Sequence, residues 1–118
     1  MTQRTDRVAE EMHQVLAEEI QRLKDPRMGF VTVTGVWVTP DLRKARVAYT
    51  VLGEERERAA TRAALRSARS HLRSVVGREV RIKFTPELEF EEDLGAADAQ
   101  RIEELLDQWH REQRRAGT

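Results

Sequence analysis

The chain has 118 residues and a formal net charge of zero, which suits one domain of ordinary size. It contains no cysteine, so disulfides, thiol catalysis and cysteine-based zinc sites are excluded. No apolar run approaches the roughly 20 residues of a membrane helix, and acidic residues interrupt the segment where a secretory signal would be apolar. We therefore expect a soluble protein of the cytoplasm, with no membrane partner.

The zero net charge hides an uneven distribution. Residues 1–85 hold 17 Lys and Arg against 11 Asp and Glu, a net of +6, whereas residues 86–118 hold 4 against 10, a net of −6. Such a split favours a basic binding domain followed by an acidic segment. Of the 21 cations, 18 are arginine, which suits bidentate phosphate recognition, although a GC-rich genome would produce the same bias.

The first part of the chain predicts a helix followed by a hairpin. Apolar residues at helical spacing predict an amphipathic helix over residues 6–24. Asp25-Pro26 ends it, because proline disfavours a helical residue before it. The runs 30–38 and 44–52 are rich in β-branched residues and are joined by a short turn, so they predict an antiparallel hairpin.

The middle of the chain predicts a second helix and a third strand. Residues 55–76 have the pattern of an amphipathic helix that Gly77 ends, and residues 79–85 alternate apolar and basic side chains up to Pro86. The resulting order α-β-β-α-β predicts an α+β domain, with a three-stranded sheet backed on one face by two helices.

The last part of the chain predicts an acidic appendage. Residues 87–97 have the composition of an acidic loop, and apolar residues at helical spacing predict a short amphipathic helix over about 98–112. Trp109 is expected to anchor this helix to the domain. The tail after it is expected to be flexible.

The second predicted helix carries a stripe of five arginines within an arc of roughly 80°, next to its apolar stripe. No acidic residue lies between the first of them and Gly77, whereas a purely solubilising helix usually mixes signs. We interpret the stripe as a nucleic-acid-binding surface in preference to a solvated face. Its members are Arg58, Arg62, Arg66, Arg69 and Arg73.

Two further groups of cations extend this patch, one at the hairpin turn and one around the predicted third strand. They are Arg43, Lys44 and Arg46, and Arg78, Arg81 and Lys83. For these six, a solvated sheet face is as good an interpretation as direct RNA contact. Phosphate contact is the expected mode, because surface cations act mainly through counterion release without reading sequence.

Trp37 and Tyr49 lie on predicted strands, where aromatic side chains either stack on bases or pack internally. Packing is favoured for Tyr49. For Trp37 both interpretations stay open, because Gly35 interrupts the alternation of its strand and predicts a bulge there.

No constellation of catalytic or metal-binding residues stands out. The three histidines lie on different predicted helices without ligand spacing, and the acidic run 87–93 lacks the pattern of a calcium loop. No phosphate loop or catalytic triad is evident. We therefore expect neither enzymatic activity nor a metal or cofactor.

Several segments, in their order and spacing, resemble the ribosome-binding factor A family. The resemblance covers about residues 4–106, and although each motif is weak alone, their joint order is specific. The segments are Asp25-Pro26-Arg27, residues 31–42, residues 45–53, the arginine helix and the run Pro86-Glu87-Leu88-Glu89-Phe90.

The resemblance implies a KH-like domain of the type II arrangement, which we place at residues 1–90, with the acidic loop, short helix and tail at 91–118. It implies a bacterial, non-catalytic assembly factor that binds the free 30S small ribosomal subunit and its rRNA, late in maturation and rRNA processing. The family is associated with growth in the cold. We expect a monomer. The alternative is a protein–protein adaptor acting through the C-terminal amphipathic helix.

One departure from the family's pattern lies in the arginine helix. Family members lack the GXXG loop by which ordinary KH domains clamp a nucleic-acid backbone, and carry an Ala-x-Gly kink instead. The matching positions here are Ala68-Arg69-Ser70. Serine does not reach the backbone angles open to glycine, so a sharp kink is less expected, although its hydroxyl can bond to the preceding turn and bend the helix mildly.

Overall fold

The computed structural model describes residues 2–93 and 107–113, with side chains from residue 5 onward. The predicted order α-β-β-α-β and the α+β class are confirmed, and residues 107–113 form a further helical segment. The elements are α1 (Thr2–Arg22), β1 (Phe30–Val38), β2 (Lys44–Leu52), α2 (Glu55–Glu79) and β3 (Glu87–Glu92).

The three strands form one sheet in the order β1-β2-β3. β1 and β2 pair antiparallel, as predicted, and their register shifts between Val33 and Gly35, which confirms the bulge. β3 lies parallel to β2, with Tyr49 opposite Glu92. A parallel neighbour requires a crossover connection, and α2 provides it.

Both long helices cover the same face of the sheet. Cross-strand partners project to the same face, and Val36 and its partner Val47 project toward the helices. There they join Met12 and Leu16 of α1 and Leu72 of α2, which, like Val47, are completely buried. Because α2 and β3 both contribute side chains to this core, it determines which side of the helix lies next to the strand.

The predicted end of the second helix is wrong, and so is the strand predicted over 79–85. α2 continues through Gly77 to Glu79, and the Val80 N–H still bonds the Val76 carbonyl at 2.9 Å. Residues 80–86 form a loop in which Val80 is buried but Phe84 is 52% exposed. The apolar alternation thus belongs to a loop that contributes Val80 and Ile82 to the core and leaves Phe84 exposed.

Gly77 serves a purpose other than ending the helix. A Cβ at this position would lie 2.9 Å from Thr85 Oγ1, which is too close for van der Waals contact. The glycine therefore lets the loop 80–86 approach α2 closely, at the cost of a weaker helix former.

The predicted loop over 87–97 is wrong where the structure describes it, because residues 87–92 form β3. Leu88 is buried and Phe90 packs against the core, whereas Glu89 and Glu91 project from the opposite face toward Arg46. A strand this acidic is tolerated because cations distant in sequence pair with it. Residues 94–97 lie outside the described range. The division at residue 90 stays a prediction, although that residue lies within β3.

Gly77 and Thr85 should be thermodynamically coupled. Alanine is favoured over glycine in a helix by about 1 kcal/mol, but Gly77→Ala should gain less than this because the new methyl group meets Thr85. In a Thr85→Ala background the same substitution should be more favourable by about 0.5 kcal/mol or more. Urea unfolding of the four proteins measures the difference, and equal effects in both backgrounds would contradict the close approach.

Candidate nucleic-acid interface

The five arginines of the α2 stripe occupy two different environments. Arg58 and Arg62, in the first half of the helix, are half-buried, whereas Arg66, Arg69 and Arg73 are exposed. The five arginines share one face of the helix, but only the first two are partly covered by other residues of the protein.

Glu92, the last residue of β3, accounts for the buried half of the stripe. Arg58 Nε lies 2.6 Å from Glu92 Oε2, and Arg62 Nη1 lies 2.7 Å from Glu92 Oε1. The Glu92 side chain is only 10% exposed. Both carboxylate oxygens thus hold a guanidinium, so these two cations are neutralised within the protein.

Glu55, on the first turn of α2, completes this cluster from the solvent side. Arg62 Nη2 donates to Glu55 Oε2 at 2.6 Å, and this hydrogen bond holds the pKa of the Glu55 carboxyl below its ordinary value. A depressed folded-state pKa means that the contact stabilises the fold at neutral pH and is lost as pH falls through that pKa. Next to the cluster, burial and the charge of Glu92 raise the pKa of Tyr49.

Arg73 has a structural role as well as an exposed surface. Its Nη2 donates to the Thr85 carbonyl at 2.9 Å and its Nε to the Pro86 carbonyl at 3.2 Å. These bonds hold the loop 80–86 against α2 while leaving the positive charge of the guanidinium without a carboxylate within 4.0 Å in the described part of the chain.

The three hairpin-turn cations also differ in whether a carboxylate lies close to them. Arg46 Nη2 lies 3.0 Å from Glu89 Oε1, and its guanidinium carbon lies 4.6 Å from the centre of the Trp109 ring. Lys44 Nζ lies 3.9 Å from the same glutamate. Arg43 is exposed and contacts a ring instead, 5.7 Å from the centre of Phe84. Of the three, Arg43 alone faces solvent without a carboxylate partner among the residues described.

The last three predicted cations surround the end of α2. Arg78 lies on its last turn, and Arg81 and Lys83 belong to the loop 80–86 and not to a strand. All three are exposed. Arg81 borders a depression on the α1 side of the domain, which it shares with Glu79, so it is separated from the other two.

Five cations that have no carboxylate within 4.0 Å in the described part of the chain form one continuous band along the second half of α2 and the loop 80–86. Three depressions border it and share lining residues: the first and second share Arg69, and the second and third share Ser70 and Arg73. We call this band the open basic surface. Its members are Arg66, Arg69, Arg73, Arg78 and Lys83.

The two aromatic residues singled out on the strands, Tyr49 and Trp37, lie on opposite faces of the sheet. Tyr49 is 2% exposed and meets Phe90 edge to face at 6.5 Å between ring centres, which confirms packing. Trp37 is paired with Arg46 and so lies on the face away from the two long helices. Its ring covers Gly35, where a Cβ would come within 2.6 Å of the ring. Trp109 is buried on that same face, against Arg46.

The sequence prediction missed two kinds of site residue. The acidic composition of 87–97 predicts a loop for the glutamates of β3, although the alternation of ELEFEE is itself the signal of a half-buried strand. The alternation over 79–85 predicts a buried Phe84, and no local pattern distinguishes it from Val80 or Ile82, which do reach the core.

The segment Ala68-Arg69-Ser70 lies in the middle of α2, which passes through it as one helix from Glu55 to Glu79. Ser70 is exposed at the border of the open basic surface. The bend at Ser70 stays a prediction.

The histidines make structural contacts in this fold. His13 Nε2 lies 2.8 Å from the Val33 carbonyl oxygen, and His71 Nε2 lies 2.9 Å from Glu19 Oε2, which links α2 to α1. Within the described residues, no group of three or more His, Asp or Glu side chains is placed to hold a metal ion. The helices in that part of the chain all fall short of the length and apolarity needed to cross a membrane.

Comparison with known protein families gives one consistent match. The family model for ribosome-binding factor A matches residues 4–106. A ribosome-binding factor A from Streptomyces griseus is 50% identical over 105 residues, which are 88% of this chain and 66% of that protein. Another, from Geobacter sulfurreducens, is 43% identical over 107 residues, which are 90% of this chain and 91% of its own length.

Solved structures agree with these sequence matches. The crystal structure of ribosome-binding factor A from Thermus thermophilus superposes with a TM-score of 0.66 at 34% identity, over 75% of this chain and 94% of that one. A homology model of the Thermus protein, fitted into a cryo-EM map of a complex with the 30S subunit, gives a TM-score of 0.57 at 37% identity, over 69% and 86% of the two chains. The KH-like α+β fold that the resemblance implied is thereby confirmed.

Replacing Glu92 tests the division of the stripe. Glu92→Gln removes a nearly buried charge from two arginines and should lower the free energy of unfolding by about 1–3 kcal/mol. The matched change Glu55→Gln, at a side chain that is 66% exposed, should cost about 0–1 kcal/mol. Urea unfolding compares them, and equal costs would show that Glu92 does not organise the cluster.

Proposed function

The chain belongs to the ribosome-binding factor A family, and from this premise we propose that it is an assembly factor that binds the free small ribosomal subunit through its rRNA. The family match covers most of the chain, and a relative's structure was fitted into a 30S complex. The observation in this chain that carries the proposal is the open basic surface. Its five cations are contiguous, and none has a carboxylate within 4.0 Å among the residues described.

The open basic surface suits a phosphate backbone better than a small ligand. Arg66, Arg69 and Arg73 follow one another at three- and four-residue intervals on one helix face, so their guanidinium groups lie in a row. Surface arginines contact phosphates and release counterions without reading base sequence. Such a row would recognise the position and shape of an rRNA backbone, in place of the glycine loop of ordinary KH domains.

The function we propose is structural and not catalytic. By occupying the rRNA late in maturation, the protein would hold it in one arrangement and exclude premature partners while processing is completed. Growth in the cold fits such a role, because alternative RNA pairings persist longer at low temperature. The described residues offer no nucleotide-binding motif to drive release, so we expect another factor, or the matured subunit itself, to displace the protein.

Neutralising the open basic surface should weaken binding to the small subunit in a salt-dependent way. Arg66→Gln together with Arg69→Gln removes two phosphate contacts, and each should reduce the slope of log affinity against log salt by about 1. Sedimentation of the protein with purified small subunits at several salt concentrations measures this slope.

The matched control for that experiment is Arg22→Gln with Arg56→Gln. It removes the same charge from exposed positions outside the open basic surface. The control should leave the slope unchanged. An equal fall in both double variants would mean that net charge, and not this surface, determines binding.

The alternative function, a protein–protein adaptor, depends on the apolar face of the C-terminal helix. Trp109 is 6% exposed and lies over the Arg46 guanidinium of β2, so this residue of the helix is already used within the domain. That contact favours a role for the helix in covering the sheet.

Truncation after Ala97 separates the two functions. If the helix only covers the sheet, the shortened protein should still sediment with the small subunit, with affinity within about threefold of the full chain, a change worth less than 1 kcal/mol. Circular dichroism of the truncated protein checks that the domain has folded. Loss of sedimentation from a folded truncated protein would favour the adaptor.

A further inference from the structure

Phe84 is one of the large apolar side chains that the fold leaves exposed. Its side chain is 52% exposed in the loop 80–86, whereas Val80 at the start of the same loop is buried. Lys83 Nζ lies 5.6 Å and the Arg43 guanidinium carbon 5.7 Å from the centre of its ring. Both distances are within the range of cation–π attraction, so two cations flank the ring.

The ring borders a groove of about 680 Å³ between the loop and the last turns of α2. The opposite wall carries two hydroxyl groups, Ser70 and Ser74, and two guanidinium groups, Arg73 and Arg78. This groove is one end of the open basic surface. It therefore combines an exposed aromatic ring, hydrogen-bonding hydroxyls and positive charge within one concave surface.

The loop that presents the ring is held in place from two sides. Arg73 donates to the carbonyls of Thr85 and Pro86, the two residues that follow Phe84. Gly77 lets Thr85 approach α2 closely. A ring on a restrained loop can stack on a ligand without first losing conformational freedom, which favours binding.

We propose, as an extension of the function above, that Phe84 is a stacking platform for an unpaired RNA base. Aromatic rings next to cationic grooves are the usual means of holding single-stranded nucleic acid, because every base has a π-face and every nucleotide a phosphate. Lys83 and Arg43 leave the ring to contact the phosphates on either side of the stacked base. Neither side chain has a carboxylate within 4.0 Å among the described residues, so no ion pair must be broken.

This site gives the protein a preference that the arginine row alone does not provide. A row of arginines binds paired and unpaired RNA backbones alike, whereas a base stacks on Phe84 only after it leaves a helix. The groove therefore selects a single-stranded segment, or the junction between a helix and a single strand.

The test compares two RNA probes, a labelled oligouridine and a fully paired RNA duplex, by fluorescence anisotropy. Phe84→Ala should weaken oligouridine binding by roughly 5- to 100-fold, the range for loss of one stacked base, and leave duplex binding unchanged. Phe84→Trp should retain oligouridine binding. Phe30→Ala removes a phenylalanine that is 71% exposed on β1, outside the groove, and should change neither affinity.

A photo-cross-link provides an independent measurement on the unaltered protein. An oligonucleotide that contains 4-thiouridine should attach to residues of the loop 80–86, as mapped by mass spectrometry. The inference would be overturned if Phe84→Ala left oligouridine binding unchanged or weakened binding to both probes equally. Cross-links confined to other elements would also overturn it.

The inference and the proposed function fail in different ways. If Phe84→Ala leaves oligouridine binding intact while Arg66→Gln with Arg69→Gln still weakens association with the small subunit, the stacking site is wrong and the proposed function stands. If Phe84→Ala weakens association with the small subunit but not with oligouridine, Phe84 contacts a ribosomal protein, and the inference is again wrong. If the unaltered protein does not bind the subunit, the proposed function is wrong whatever the oligouridine result.

Discussion

The contact of Glu92 with Arg58 and Arg62 decides how the rest of the domain presents its charge. β3 can lie parallel to β2 only because α2 crosses over the sheet, and this crossover brings the last residue of β3 beneath the first half of α2. Two guanidinium groups at 2.6 and 2.7 Å leave the carboxylate with no unpaired oxygen. A charge this buried is costly unless it is paired, so strand, helix and ion pairs form together. Among residues 2–93 and 107–113, no carboxylate pairs in this way with the second half of α2, whose cations are exposed.

The glutamates on the opposite face of β3 also pair with cations, but these cations lie on β2 and not on α2. Glu89 and Glu91 project there and meet Arg46, whose guanidinium group also lies against the ring of Trp109. The acidic strand thus pairs with two cations on the outer face, Arg46 and Lys44, and with two on the inner face. Its carboxylates pair with cations that would otherwise be available to phosphates. The open basic surface is therefore restricted to the second half of α2 and the loop 80–86.

The sequence was sufficient for the parts of the fold that local patterns determine. The hairpin, the bulge near Gly35 and the apolar face of each long helix follow from residues close together in the chain, and all appear in the structure. The end of α2 and the position of β3 do not follow, because they depend on contacts such as Gly77 with Thr85 and Glu92 with Arg62. An acidic run resembles a loop until its cationic partners are known, and these lie 30 or more positions away along the chain.

The same limit applies to the candidate interface. The sequence identified the arginine stripe correctly as a feature of one helix face, and the absence of acidic residues from Arg58 through Gly77 favoured a nucleic-acid-binding surface for all five arginines. Arg58 and Arg62 are paired with a residue of another element, whereas Arg66 and Arg69 have no carboxylate within 4.0 Å in the part of the chain that the structure describes. Periodicity reports which residues share a face, and only the tertiary arrangement reports what that face meets.

The most direct test of this account is an NMR titration that follows the arginine Nε–Hε signals while RNA is added. Arg58 Nε is bonded to Glu92, so its signal should exchange slowly with solvent and should not move. The signals of Arg66 and Arg69 should shift as the RNA binds. Large shifts at Arg58 and Arg62, with Arg66 and Arg69 unchanged, would contradict the claim that β3 confines binding to the second half of α2.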